Sequence, residues 1–145
     1  MSLLKKFFAN AEKAINKYTG DGEFLAGVAA AAANVTAADG KIEDSEKEAA
    51  ISGMLANPTV SGSFGPSEIE QALKDALIRA GTMSGRMMNK RAIQALITRS
   101  PEARQDVFLI AADVANDGGI GAEERKVLAD IAKALNLDGE ALLAA

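Results

Sequence analysis

Asp39-Gly40 and Asp117-Gly118 are the residues of this chain whose type and spacing best suit chemistry. They sit in matching segments. Ala37 to Lys47 aligns with Ala115 to Arg125 at a constant offset of 78 residues, sharing Ala, Asp-Gly, Ile, Glu and a basic residue at fixed spacing. Folding accounts for part of this pattern. Gly supplies a positive φ after a helix, and Ile42 and Ile120 return the chain to the core. Glu46 and Glu124 fall in the first turn of the next helix, where a carboxylate is favoured and can bond back to the cap. The Asp is less comfortable. At a helix C-terminus its charge opposes the macrodipole by roughly 0.3–1 kcal/mol. Glu43, Asp44 and Glu48 add negative charge in the first copy, as do Asp113 and Glu123 in the second. A bound cation would relieve that repulsion. Structural turns, a cation site and a protein-recognition epitope all remain open.

Comparison with a calcium loop narrows the cation reading. An EF-hand takes oxygen ligands at positions 1, 3, 5 and 12, with Gly at 6 and an apolar residue at 8. With Gly118 at position 6, Asp113, Asp117, Ile120 and Glu124 fall at 1, 5, 8 and 12, but position 3 is Ala115. The first copy has Val35 and Ala37 at positions 1 and 3, leaving only Asp39, Ile42 and Glu46 in register. Neither loop is a self-sufficient calcium site. Two half-sites facing each other can pool carboxylates, so the expected metal set is Asp39, Glu46, Asp113, Asp117 and Glu124. An all-oxygen set selects a hard ion: Ca²⁺, Mg²⁺ or Mn²⁺.

Other chemistry is closed off. The chain has no Cys and no His. That excludes disulfides, thiol redox chemistry, Cys/His zinc sites and a Ser-His-Asp triad. Walker and Rossmann glycine patterns are missing, so no organic cofactor and no catalysis are expected. The net charge of −4 is unevenly spread: residues 1–20 carry +3 and the remainder −7, with a locally basic stretch over 71–104. An acidic surface with few aromatics does not suit nucleic acid. No apolar run reaches the roughly 20 residues that span a bilayer. Lys5 and Lys6 interrupt any signal-peptide core, which makes a cytoplasmic location the expectation.

Helices must position the turns. Leu3, Leu4, Phe7, Phe8, Ala11, Ile15 and Tyr18 follow helical spacing, so residues 2–18 read as a basic amphipathic helix. Further helices are expected over about 23–38, 44–56, 66–80, 86–98, 101–116 and 122–135, with a short one through Leu143 capped by Asp138. Asn57-Pro58 breaks the pattern, and 58–65 reads as a polar connecting loop. Ser67 and Glu70 have capping-box spacing. Ser100-Pro101 is a helix restart, with Ser as N-cap and Pro at the first helical position. The chain is therefore expected to be all-α, a compact bundle of about 7–8 helices in one domain over 1–145. Within it, 1–20 form the N-terminal helix, 21–56 and 100–145 two pseudo-repeated helix-turn-helix units, and 57–99 the middle helices.

At these residues the sequence resembles the TerB family of tellurite-resistance and stress-response proteins. Carrying the resemblance are Glu23 to Val28, the Ala-Ala-Asp-Gly turn with Ser45-Glu46-Lys47, Ser100 to Ala103, and Ala115-Asn116-Asp117-Gly118 with Glu124 and Leu135 to Asp138. Residues 57–99 match weakly. The resemblance implies an all-helical fold with internal pseudo-symmetry and a role in tellurite resistance and related stress or phage-defence systems. It also implies a metal-binding or interaction surface at Asp39, Glu46, Asp117 and Glu124, and a TerC-like membrane protein as partner at the cytoplasmic face. Asp113 aligns with Val35 and has no acidic counterpart. Tellurite is an oxyanion normally reduced by thiols; an acidic, thiol-free protein is suited to an indirect role, as sensor, adaptor or assembly factor.

Two functions follow. One is a non-enzymatic, divalent-cation-binding adaptor of the TerB kind. The other is a membrane-surface or protein–protein interaction module with purely structural Asp-Gly turns, in which residues 2–18 give a peripheral membrane contact. A first helix packed on the core with solvated lysines is the plainer reading of 2–18. Met83, Met87 and Met88 read as core or loop contacts, and Arg86, Lys90 and Arg91 as a solvated face.

Overall fold

The computed structural model describes residues 17–116 and 119–144. They form eight α-helices and one 3-10 segment, with no strand among the described residues. The all-α expectation holds.

Helix α1 (Gly22–Thr36) is the axis. Asp21 starts it, accepting the Phe24 N–H at 3.1 Å. Ala29 to Ala33 are all fully buried. A helix apolar on every side belongs inside a bundle, and small side chains let its neighbours approach. Gly27 shows how closely: a Cβ there would lie 2.3 Å from Leu96 Cδ1. Around α1 pack α4 (Pro66–Ala80), α5 (Met83–Gln94) and α6 (Pro101–Ala115). The 3-10 segment Ala95–Thr98 continues α5. Helices α2 (Asp44–Ala56), α3 (Pro58–Ser61), α7 (Ala122–Ala134) and α8 (Gly139–Ala144) complete the fold. Phe24, Phe108, Met54, Leu73 and Leu128 are the large, fully buried side chains of one continuous core.

The repeat is visible in the helices. α1 and α6 are both 15 residues long, and α2 and α7 both 13. Their packing is reciprocal: α1 lies on α6, α2 packs on α6, and α7 packs on α1. The helix positions also correct the sequence alignment. α1 and α6 correspond at an offset of 79 residues, whereas α2 and α7 correspond at 78. The second turn is therefore one residue shorter. The positive-φ glycines follow the longer offset, Gly40 at +87° and Gly119 at +101°. Asp39 directly precedes its left-handed glycine, while Asp117 stands two residues before Gly119.

Several local expectations shift. Residues 58–65 are not simply a loop. Asn57 Oδ1 accepts from the N–H groups of Thr59 and Val60, Pro58 takes the first helical position, and Val60, Ser63 and Phe64 are buried. The capping pair at α4 is Gly65 with Glu68, whose Oε1 accepts the Gly65 N–H at 3.3 Å, rather than Ser67 with Glu70. Pro66 sets this register by taking the first helical position. Helix α5 starts at Met83, not Arg86, because Thr82 Oγ1 accepts from Gly85 N–H at 3.0 Å. The Ser100 cap stands as expected, accepting from Ala103 N–H at 3.2 Å. So does Asp138, which accepts from Ala141 N–H at 3.1 Å.

Of the amphipathic helix expected over 2–18, residues 2–16 lie outside the described residues. Lys17 and Tyr18 stand in a turn. Tyr18 is buried, stacked on Phe24, and donates its hydroxyl to Asp106 at 2.5 Å. Burial first, and Asp106 second, push its phenol well above the usual range. Lys17 is not a freely solvated cation: it bridges Glu102 at 2.7 Å and Asp106 at 2.8 Å on α6. Burial opposes its charge, but the bonds to Asp106 and Glu102 outweigh that and raise its pKa.

Candidate functional site: a cleft between the acidic turns

The ends of the four repeat helices meet around one cleft of about 510 Å³. Val35 and Val114, near the C-terminal ends of α1 and α6, are buried in its floor with Ala50 and Ala115. Asp39 borders it from the first turn, and Ser45 and Glu46 from the start of α2. Across from them stand Gly121, Glu123 and Glu124 at the start of α7. The result is an apolar floor with four carboxylates at the rim, and no Lys or Arg among the described lining residues.

Each rim carboxylate has a local reason to be there. Asp39 is exposed, and its Oδ1 accepts the Lys41 N–H at 3.1 Å, closing an Asx-turn. Gly40 then takes the left-handed conformation. Glu46 Oε1 accepts the Glu43 N–H at 3.1 Å, and Glu124 Oε1 accepts the Gly121 N–H at 3.0 Å. Both therefore cap their own helices, satisfying a backbone donor at the N-terminus. Glu68 does the same for α4, where there is no repeat and no acidic turn. Capping alone thus explains why Glu recurs at the third helical position. It uses one oxygen of each carboxylate, and no hydrogen bond to the other is present among the described residues. Glu123 pairs with Lys126 at 3.3 Å on the solvent side.

The two ends of the cleft differ electrostatically. The C-termini of α1 and α6 present partial negative charge, which adds to Asp39 and favours a cation. The N-termini of α2 and α7 present partial positive charge, which stabilises Glu46, Glu123 and Glu124 as anions.

Asp39, Glu46 and Glu124, expected from the sequence to act together, therefore share one cleft. Asp117 lies outside the described residues. Asp113 does not line the cleft: it is exposed on α6 and accepts from Asn57 Nδ2 at 3.4 Å, at the end of α2. Among the described residues no three carboxylates converge tightly enough to hold an ion by themselves. Sequence reasoning missed the floor. Nothing in the sequence marks Val35 and Val114 as partners; only the helix crossing makes them the bottom of a cleft.

No helix among the described residues is long and apolar enough to cross a membrane. No protein-family model, curated protein or solved structure matches this chain.

Proposed function

We propose that this protein is a non-enzymatic, TerB-like tellurite-resistance and stress-response adaptor, working at the cytoplasmic face of the membrane. In this reading the cleft between the acidic turns is its working site. A divalent cation drawn to Asp39, Asp117, Glu46 and Glu124 orders the two turns, and the ordered rim presents a surface to a protein partner such as a TerC-like membrane protein. One observation carries the reading: residues 78 positions apart in sequence, Glu46 and Glu124, border the same apolar-floored cleft together with Asp39. Oxygen-only donors favour Ca²⁺, Mg²⁺ or Mn²⁺. The lack of Cys and His supports an adaptor over an enzyme. Calorimetric titration of the wild type with Ca²⁺ and Mn²⁺, beside an Asp39→Ala, Asp117→Ala double variant, tests it. Binding at about millimolar ion or tighter, lost in the variant, is expected. Absence of heat with both ions refutes it.

The capping geometry favours a second reading. Glu46 and Glu124 behave as Glu68 does, so the turns can be purely structural and the cleft a metal-independent protein-docking site. Partner capture that is equally strong in chelator and in added cation would select this reading.

A further inference from the structure

The most exposed large apolar side chains lie far from the cleft in sequence, at the corner between α4 and α5. Ile78 is 77% exposed, Met83 75%, Met88 54% and Met87 51%. Sequence reasoning placed the methionines in the core or in loop contacts; they face solvent instead. The reason is the way α5 starts. A Cβ on Gly85 would lie 1.7 Å from the Arg79 carbonyl oxygen, so the first turn of α5 is pressed against the last turn of α4. Gly85, Asn89 and Ile93 therefore form the inner face of α5. Met83 and Met87, one helical turn apart, are rotated to the outer face, and Arg91 continues that line. The Arg91 side chain is exposed and has no hydrogen bond or ion pair among the described residues.

Charge sets this corner apart from the rest of an acidic protein. Between Asp75 and Glu102 the chain carries five cations and no acid; Lys90 pairs with Asp130 and Arg99 with Asp21 and Glu23, which leaves Arg79, Arg86 and Arg91 without an acidic partner among the described residues. Ile78 and Met83 are about three-quarters exposed, so little of either side chain packs on the core; the outward face of a surface helix is ordinarily polar. Exposed apolar side chains at a helix corner that also carries Arg79, Arg86 and Arg91 are complementary to an anionic bilayer. The apolar groups enter the boundary between headgroups and acyl chains while the cations meet lipid phosphates.

We propose that the α4–α5 corner docks on anionic phospholipid membranes, with Ile78, Met83 and Met87 inserting and Arg91 contacting the headgroups. This contact is separate from the cleft and stands whether or not the cleft takes a cation. Sedimentation of the full chain with vesicles of phosphatidylcholine, alone and mixed with phosphatidylglycerol, tests it. The wild type is expected to sediment with the mixed vesicles and not with phosphatidylcholine alone. Met83→Ser, Met87→Ser should weaken binding at least about tenfold, and Arg91→Ala roughly fivefold. All three positions are exposed, so circular dichroism should show the fold intact. No binding to mixed vesicles, equal binding to neutral ones, or an undiminished double variant (which would put the contact elsewhere) would each overturn the proposal.

Discussion

Replacing Asn89 with Ala should destabilise the fold more than any surface change, because its amide ties three helices together. Asn89 is fully buried on α5. Its Nδ2 donates to Asn34 Oδ1 on α1 at 2.9 Å and to the Ala76 carbonyl on α4 at 3.0 Å, and its Oδ1 accepts from Arg79 Nε at 2.8 Å. A carbonyl can only accept and Nε can only donate, so the orientation of the amide is fixed by its partners. Asn34 Nδ2 in turn donates to the Arg86 carbonyl at 3.1 Å, returning the network to α5. Asn89→Ala removes three hydrogen bonds and strands at least the Asn34 oxygen. At about 1 kcal/mol per bond, with the stranded groups adding to that, the expected loss is about 2–4 kcal/mol. In urea this lowers the midpoint by roughly 1–2 M at an unchanged slope, and in a thermal melt it lowers Tm by roughly 5–15 °C. A double-mutant cycle with Asn34→Ala should show coupling of at least about 0.5 kcal/mol. Loss below about 0.5 kcal/mol, or strict additivity with Asn34→Ala, would refute the network as an energetic unit. The consequence reaches the cleft, since Asn34 adjoins Val35 and Thr36 in its lining.

Gly85→Ala should cost about 3 kcal/mol or more, or prevent folding, because its Cβ would meet backbone rather than a movable side chain; urea unfolding measures it. Acid should weaken the protein through Asp21. Its carboxylate accepts Arg99 Nη1 and Nη2 at 2.6 and 2.9 Å, and chiefly that bond holds its pKa below the usual range. The folded state therefore binds this proton less readily than the unfolded chain. The stabilisation is complete above about pH 4 and is lost as pH falls through the lower folded value. Asp21→Asn, which retains the N-cap, should flatten that limb of the stability–pH curve. Glu46→Ala, Glu124→Ala and Glu68→Ala should each cost about 1 kcal/mol as lost caps, while cation affinity should fall only for the first two. Equal cation affinity in all three would strip Glu46 and Glu124 of any role beyond capping.

Local signals with a single physical cause were readable from sequence. Ser100-Pro101 and Asp138 each specify one outcome, and the structure has it. Signals that depend on a distant partner were not. Nothing around Asn89, between two methionines and two cations, marks it as buried; only the close approach of α5 to α4 and α1 does so. Met83 and Met87 looked like core for the converse reason. Turn formers over Gly81 to Gly85 concealed the Thr82 cap, so the helix phase that exposes the methionines could not be set. In the repeat, the shared residues were legible, but the one-residue difference between the turns was not. Residue identity aligns Asp39 with Asp117, whereas the positive-φ glycines align Gly40 with Gly119.

The central claim is that the two turns form a single site. Backbone amide chemical shifts of the full chain, followed by NMR as Ca²⁺ or Mg²⁺ is added, test it most directly. The account predicts that Lys41 and Glu46 from the first turn and Gly121 and Glu124 from the second shift together with one midpoint, at about millimolar ion or below. Shifts confined to one turn, two separate midpoints, or no shift with either ion would contradict it.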